Sequence, residues 1–454
     1  MPNPTERNQR SLKKKMVPKI RQEGDWSESV AKGMHPSDAK TTTTSTSFFS
    51  TNHNGKYYYL TEDARKNLKT YNYRGVDMSL LYKYILSPLA AFLVNTIIPR
   101  SMAPNTITSI GFVLMISSYV AYWWYIPSLE LTNNDEREDY DQFFPPRWIF
   151  LWNGLSILIY QTLDNMDGKQ ARRTGSSSPL GLIFDHGCDA INSIFGSANV
   201  IIGMNLNPSE NFLSVWLLVF GPFLLFYIAT WEHYFTGELN MPIVNGPSEG
   251  LLGTALLSFV SYKLGSQYWQ QTDVFDSISS FGLWSNIMED VSLRNCDLIV
   301  IAVSTGVFQE TIMKTLTVTQ KCKGSAAGLI PMFVLAFCYY IIGYIDPNIW
   351  LTIPRTSLHL SMVLFVEMST ELMLAHVTSQ PFLPWRWQLS PLIGITCWAV
   401  VFGNNYGLTN VIVIYTWVIA AYLVMKFHRI ISEMCGALEI WCFDIVTPHY
   451  SARN

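Results

Sequence analysis

The sequence predicts an all-α integral membrane protein of about ten transmembrane helices, with an N-terminal interfacial amphipathic helix. Three observations predict it. The chain of 454 residues is 49% hydrophobic and only 14% charged, where soluble chains carry about a quarter charged residues. Its mean hydropathy is positive, and apolar runs of about 20 residues recur along most of it, the length that crosses a bilayer core. Its charge is sorted by loop, basic on one side of the runs and acidic on the other. The net charge of −3 therefore says little by itself. The seven cysteines (Cys188, Cys296, Cys322, Cys338, Cys397, Cys435 and Cys442) are scattered. They have neither metal-ligand spacing nor the pattern of a disulfide framework, and read as buried or loop thiols.

Residues 1–55 read as a disordered cytoplasmic tail, with basic residues in "RNQRSLKKK" and the low-complexity run "TTTTSTS". No apolar stretch follows the basic cluster, so it is not a secretory signal. Residues 56–100 read as an interfacial amphipathic segment: a short helix on the surface after Thr61, then an apolar part, 79–98, interfacial or half-buried, which Pro88 keeps from being a clean span. Ten spans follow, at 106–126, 147–167, 180–204, 211–234, 247–265, 296–316, 326–345, 354–377, 389–404 and 408–427. The fifth and ninth are short and interrupted by glycine. Residues 101–430 thus form the membrane domain, and 431–454 a cytoplasmic C-terminal tail.

Orientation comes from the loops. Arg100, Lys169, Arg172, Arg173, Lys314, Lys321, Lys323, Arg386, Lys426 and Arg429 fall on one side, and the acidic stretches 128–142 and 270–292 on the other. The positive-inside rule places the basic side and both termini in the cytoplasm.

The chemistry is concentrated in "LDNMDGKQARRTGSSSPLGLIFDHGCDA", residues 163–190, on the cytoplasmic side. Asp164 and Asp167 are i and i+3 near the end of the second span, and Asp185 and Asp189 are i and i+4 near the start of the third. Each pair projects from one helix face. Gly175 suits a helix end and Pro179 a helix start, so "RTGSSSP" is a reversal that brings both pairs to one depth. Four carboxylates crowded in low dielectric repel one another unless cations neutralise them. Hard oxygen ligands suit Mg²⁺ or Mn²⁺, and four suit two ions. Gly168, Ala171 and Gly181 clear space for a ligand's phosphates, and Arg172 offers a fixed cation to grip them.

Asp164-x2-Asp167-Gly168-x2-Ala171-Arg172-x8-Gly181-x3-Asp185-x3-Asp189 resembles the complete CDP-alcohol phosphotransferase signature. The wording "DGKQARRTGSSSPLGLIFDHGCDA" resembles the eukaryotic cholinephosphotransferase and ethanolaminephosphotransferase branch. So do "MAPNTITSIGF" (102–112), "NGPSEGLLG" (245–253) and "LMLAHVTSQPF" (372–382), and the likeness covers residues 56–430. The resemblance implies transfer of phosphocholine or phosphoethanolamine from CDP-choline or CDP-ethanolamine to diacylglycerol, with release of CMP and a divalent metal. It implies metal ligands among Asp164, Asp167, Asp185 and Asp189, and all four are assigned. It also implies an endoplasmic reticulum or Golgi membrane and a homodimer, with no nucleic acid partner, while the loop charges put the site on the cytosolic face. A different alcohol, such as inositol, is the alternative within the family.

Two residues compete for the acceptor's proton. Asp189 is the traditional candidate, but an acid held on metal is a poor base. His186 has an unperturbed pKa of about 6.5, suited to base work near neutrality, and projects roughly 100° around the helix from Asp185. The close relatives implied by the resemblance share the Asp-His-Gly wording and are thought to use that histidine. A base histidine needs an orienting acid, and Glu249 is the candidate. Asn105 is a candidate reader of cytidine or phosphate, or else an N-cap. Glu232 and His233 sit at a cytoplasmic span end and close the site or face headgroups. Glu367, Glu371 and His376 lie inside a span, where ionisable residues are functional candidates or pair with one another. A transporter would carry internal repeats and charges at the midplane, and a non-catalytic scaffold would lack an aspartate; neither pattern is present. The sequence decides neither choline against ethanolamine nor endoplasmic reticulum against Golgi.

Overall fold

The computed structural model describes residues 58–131, 145–279, 292–346, 349, 352–403 and 408–449. In chain order its elements are α1 (Glu62–Thr70), β1 (Gly75–Asp77), α2 (Ser87–Thr96), α3 (Pro104–Tyr125), α4 (Trp148–Thr174), α5 (Pro179–Gly203), α6 (Phe212–Thr236), β2 (Leu239–Met241), α7 (Leu251–Leu264), α8 (Asp273–Ser279), α9 (Asn295–Lys321), α10 (Ile330–Ile345), α11 (Pro354–Thr378), α12 (Ser390–Phe402) and α13 (Leu408–Leu438). The expected tail at 1–55 and most of the acidic loop at 128–142 lie outside the described residues.

A helix stands at each expected span, and the chain is an all-α, multi-pass membrane protein. Six are long and apolar enough alone: α3, α6, α9, α10 with its preceding turn, α11 and α13. The others differ for identifiable reasons. α4 and α5 are long, 27 and 25 residues, but carry the four aspartates and several asparagines. α7 and α12 are short, at 14 and 13 residues, and each continues a helical turn, Gly246–Gly250 and Trp387–Leu389. α13 runs to Leu438, well into the segment expected as a tail.

The amphipathic helix is present but sits elsewhere than expected. Thr61 caps α1, its hydroxyl accepting from the Ala64 amide at 3.1 Å, with acids in the first turn and Lys69 in the last, matching the helix dipole. Leu60, Ala64 and Leu68 then pack on Leu180, Met373, Val377, Ile430 and Met434, so the apolar face of α1 lies on protein. The chain entering α1 is held by Glu433 of α13, whose carboxylate accepts from the Tyr58, Tyr59 and Leu60 amides at 2.7, 2.8 and 2.9 Å. The apolar part expected at 79–98 forms the π-helical turn Tyr82–Leu86 and α2, one face on protein and one outward. Ala90 and Val94 pack on Ile107 and Met166, while Tyr84, Ile85, Leu89 and Phe92 face outward. From Tyr82 to Thr96 is roughly 22 Å at 1.5 Å per residue, too short to cross.

One feature was not expected in an all-α chain: β1 pairs with β2 in parallel, Gly75 opposite Leu239 and Asp77 opposite Met241. This ribbon lashes the segment after α1 to the end of α6.

The site helices are clamped by a buried amide network. Asn153 of α4 accepts from Ser118 of α3 and Asn199 of α5, each at 2.8 Å, and donates to Ser258 of α7 at 2.8 Å. α4 also approaches α7 closely: a Cβ on Gly154 would come 2.4 Å from the Phe259 ring. α11 is the most buried of the six apolar spans, at 83% of its apolar window, and α9 the least, at 11%. Several charges used for orientation are consumed internally. Arg386 and Lys426 pair with Glu367 and Glu371, and Lys314 pairs with Glu232.

Candidate active site

The reversal between α4 and α5 forms as the residues dictate. Gly175 ends α4 at φ +69°, a left-handed conformation that glycine adopts without penalty. Ser178 caps α5, its hydroxyl accepting from the Gly181 amide at 3.2 Å, with Pro179 following. Asp164, Asp167, Asp185 and Asp189 are half-buried and within electrostatic reach of one another.

Their hydrogen bonds are unequal. Asp167 accepts from the Thr108 hydroxyl of α3 at 2.5 Å. Asp189 accepts from the Tyr160 hydroxyl, one turn before Asp164 on α4. Asp185 keeps a buried Oδ1 with no hydrogen-bond partner among the described residues. One ligand atom each from Asp185, His186 and Asp189 lie within 4.8 Å of one another, a grouping able to hold a metal ion. A buried, unpartnered carboxylate oxygen beside three more carboxylates fits a cation, since such an oxygen costs free energy until something binds it.

Thr108 and Tyr160 are residues at the aspartate site that the sequence reading missed. Tyr160 precedes Asp164 by four residues and so shares its face, a signal that was there to use. Thr108 reaches Asp167 from a different helix; it lies in the stretch 102–112 singled out above, but nothing local to it foretells the contact.

The cations divide their work. Arg173 is spent on the Val94 and Ile98 carbonyls, at 2.6 and 2.8 Å, and Lys169 donates to Ser87 at 2.8 Å. Arg172 is exposed and has no hydrogen bond or ion pair among the described residues. Its guanidinium lies 3.5 Å from where a Cβ on Gly168 would be. Gly181 faces Asn105 across the α3–α5 contact, where an added Cβ would lie 3.5 Å from Asn105 Oδ1, an ordinary contact distance. Asn105 donates its amide to the Cys442 carbonyl at 2.9 Å, which turns its oxygen toward Gly181. Ala171 stands half-buried beside Arg172.

His186 lies beside the aspartates, with Nδ1 3.8 Å from Asp185 Oδ2. That nitrogen is buried without a hydrogen-bond partner. Its ring meets Phe226 edge-on at 5.8 Å. Glu249, expected to orient His186, is turned elsewhere. Its carboxylate accepts from the Ser79 hydroxyl at 2.6 Å and the Asn245 amide at 3.0 Å, because the π-helical turn at Gly246–Gly250 points it at the strand ribbon. Glu367 and Glu371 are structural partners of Arg386 and Lys426 rather than site acids. His376 contacts Tyr71 and His233.

Residues 101–269, which include all four aspartates, match the model of the CDP-alcohol phosphatidyltransferase family. A choline/ethanolaminephosphotransferase of Arabidopsis thaliana is 32% identical over 404 residues, 83% of this chain and 96% of the relative. An uncharacterised class-I family protein of Dictyostelium discoideum is 30% identical over 86% of this chain and 99% of its own length. A cholinephosphotransferase of Saccharomyces cerevisiae is 25% identical over the same shares, 86% and 99%. A matched aspartate site on paired helices, carried by a chain that aligns with these relatives over 83–86% of its length and nearly all of theirs, places this protein by both chemistry and ancestry: it belongs to the CDP-alcohol phosphatidyltransferase family.

Proposed function

We propose that the protein transfers phosphocholine or phosphoethanolamine from CDP-choline or CDP-ethanolamine to diacylglycerol, releasing CMP and forming phosphatidylcholine or phosphatidylethanolamine. The observation that carries this reading is the meeting of four aspartates from α4 and α5 beside an unpaired, exposed Arg172, with an unpartnered buried oxygen on Asp185. The names of the plant and yeast relatives support the choice of alcohol.

Asp164, Asp167, Asp185 and Asp189 would hold Mg²⁺ or Mn²⁺, two ions for four carboxylates, and bound metal neutralises pyrophosphate charge. Tyr160 and Thr108 fix the orientation of Asp189 and Asp167. Arg172 grips a phosphate oxygen, while Gly168, Ala171 and Gly181 leave room for the donor and Asn105 lines its approach. His186 accepts the proton of the acceptor hydroxyl at Nε2, the nitrogen turned away from Asp185. The acceptor oxygen forms its bond to the alcohol-side phosphorus, the bond from that phosphorus to the bridging oxygen breaks, and CMP leaves. Glu249 serves as a positioning residue, pinning Ser79 to the start of α7. The site faces the cytosol from an endoplasmic reticulum or Golgi membrane, and the protein works as a homodimer.

The test is CMP release by purified protein given diacylglycerol and each CDP-alcohol. Chelator should abolish it and Mg²⁺ or Mn²⁺ restore it. Asp164→Asn, Asp167→Asn, Asp185→Asn and Asp189→Asn should each lose nearly all turnover while the protein still inserts. Folded wild-type protein that releases CMP from neither donor sinks the reading.

A further inference from the structure

The end of α6 holds a ring cluster that the transfer mechanism does not use. His233 is 0% exposed, yet both of its ring nitrogens lack hydrogen-bond partners among the described residues. Its ring lies 3.9 Å, centroid to centroid, from that of His376 on α11. Tyr73 meets His233 edge-on at 5.8 Å. The Tyr71 hydroxyl sits 3.2 Å from His376 Nε2, so His376, unlike His233, has a partner. The strand ribbon delivers both tyrosines here, since the Leu239 amide donates to the Arg74 carbonyl at 3.0 Å.

The cluster adjoins the aspartate site. Tyr73 is within electrostatic reach of Asp185 and Arg172. His186 touches Phe226, two turns before His233 on α6. Tyr73 is 47% exposed, the open side of the cluster, and a Cβ on Gly75 would collide with its hydroxyl at 2.3 Å, so glycine there lets the ring fold back.

We propose that His233, with His376, Tyr71 and Tyr73 around it, forms the headgroup subsite, and that its two open ring nitrogens favour a primary ammonium over a quaternary one. This rests on the transferase reading above. The aromatic faces attract either organic cation. A neutral imidazole has one N–H and one lone pair. Phosphoethanolamine offers ammonium N–H groups for the lone pair and phosphate oxygens for the N–H, so it satisfies both nitrogens. Phosphocholine has no N–H and leaves the lone pair buried and unmet.

The experiment compares kcat/KM for CDP-ethanolamine and CDP-choline in the full-length protein. His233→Phe keeps the ring and removes both nitrogens. The ethanolamine-to-choline ratio should fall on the order of tenfold or more, the worth of a hydrogen bond to a charged group, and His233→Gln should recover part of it. An unchanged ratio in an active His233→Phe protein overturns the proposal. Should that variant lose both activities, Tyr73→Leu decides: at this half-exposed position, a raised KM for both donors supports the subsite and an unchanged KM for both overturns it. Wild-type protein that uses neither donor refutes the transferase reading instead.

Discussion

Replacing Tyr160 with phenylalanine removes one oxygen from the site and little else. The Tyr160 ring is 5% exposed and packs against α3, where a Cβ on Gly111 would come 3.2 Å from its Cδ2; phenylalanine keeps that packing. What is lost is the hydroxyl donated to Asp189. A hydrogen bond to a charged group is worth about 1.5–3 kcal/mol, or roughly 10–150-fold in an equilibrium constant. If Tyr160 acts by orienting a metal ligand, this loss falls on metal affinity. CMP release titrated with Mg²⁺ at fixed CDP-alcohol should show a half-saturating metal concentration at least tenfold higher, with most turnover recovered at saturating metal. Thr108→Val should do the same through Asp167. A Tyr160→Phe protein with wild-type metal dependence refutes the reasoning, because Asp189 would then need no orienting donor or bind no metal.

His186→Ala should lose transfer by about 10²–10⁴-fold while binding metal and CDP-alcohol, with partial rescue at raised pH; full turnover in that variant beside a dead, metal-competent Asp189→Asn assigns the proton to Asp189. Asn153→Ala should remove the three hydrogen bonds its amide makes with Ser118, Asn199 and Ser258, each worth about 0.5–1.5 kcal/mol net, while Asn199 still donates to Ser118 and Ser258 to the Thr254 carbonyl; unaltered thermal unfolding in detergent removes the network from the account of helix packing. In a chain cleared of native cysteines, Thr174→Cys should label from the cytosol, and Glu136→Cys and Asn286→Cys from the lumen. Lumenal labelling of residue 174 alone inverts the orientation.

The aspartate pairs were legible in the sequence because helical spacing is local: i to i+3 and i to i+4 put two acids on one face whatever surrounds them. The spans were legible for the same reason, through composition over a window. What sequence could not deliver were contacts made across the fold. Thr108 reaches Asp167 from another helix, and Glu249 turns to Ser79 because a ribbon between distant segments, β1 and β2, places that serine there. The same limit explains α1: an amphipathic face reads alike whether lipid or protein covers it, and here α5, α11 and α13 cover it. Arg386 and Lys426 read as loop charges because their carboxylate partners stand elsewhere in the chain. His233 read as a residue at a span end; its unpartnered nitrogens emerge only once α6, α11 and the ribbon are assembled.

The grip of Glu433 on the Tyr58–Leu60 backbone sets a schedule for biosynthesis. Tyr58 and Glu433 are 375 residues apart, and a ribosome adding about 5–20 residues per second needs roughly 20–75 s to travel between them. Throughout that interval Leu60, Ala64 and Leu68 have left the ribosome while α13, one wall of their socket, does not yet exist. The segment from Tyr58 through α1 is therefore among the last to be seated. A nascent protein halted before α13 carries α1 with one wall of its socket missing and its apolar face partly uncovered, a ready handle for chaperones and for the machinery that removes unfinished membrane proteins.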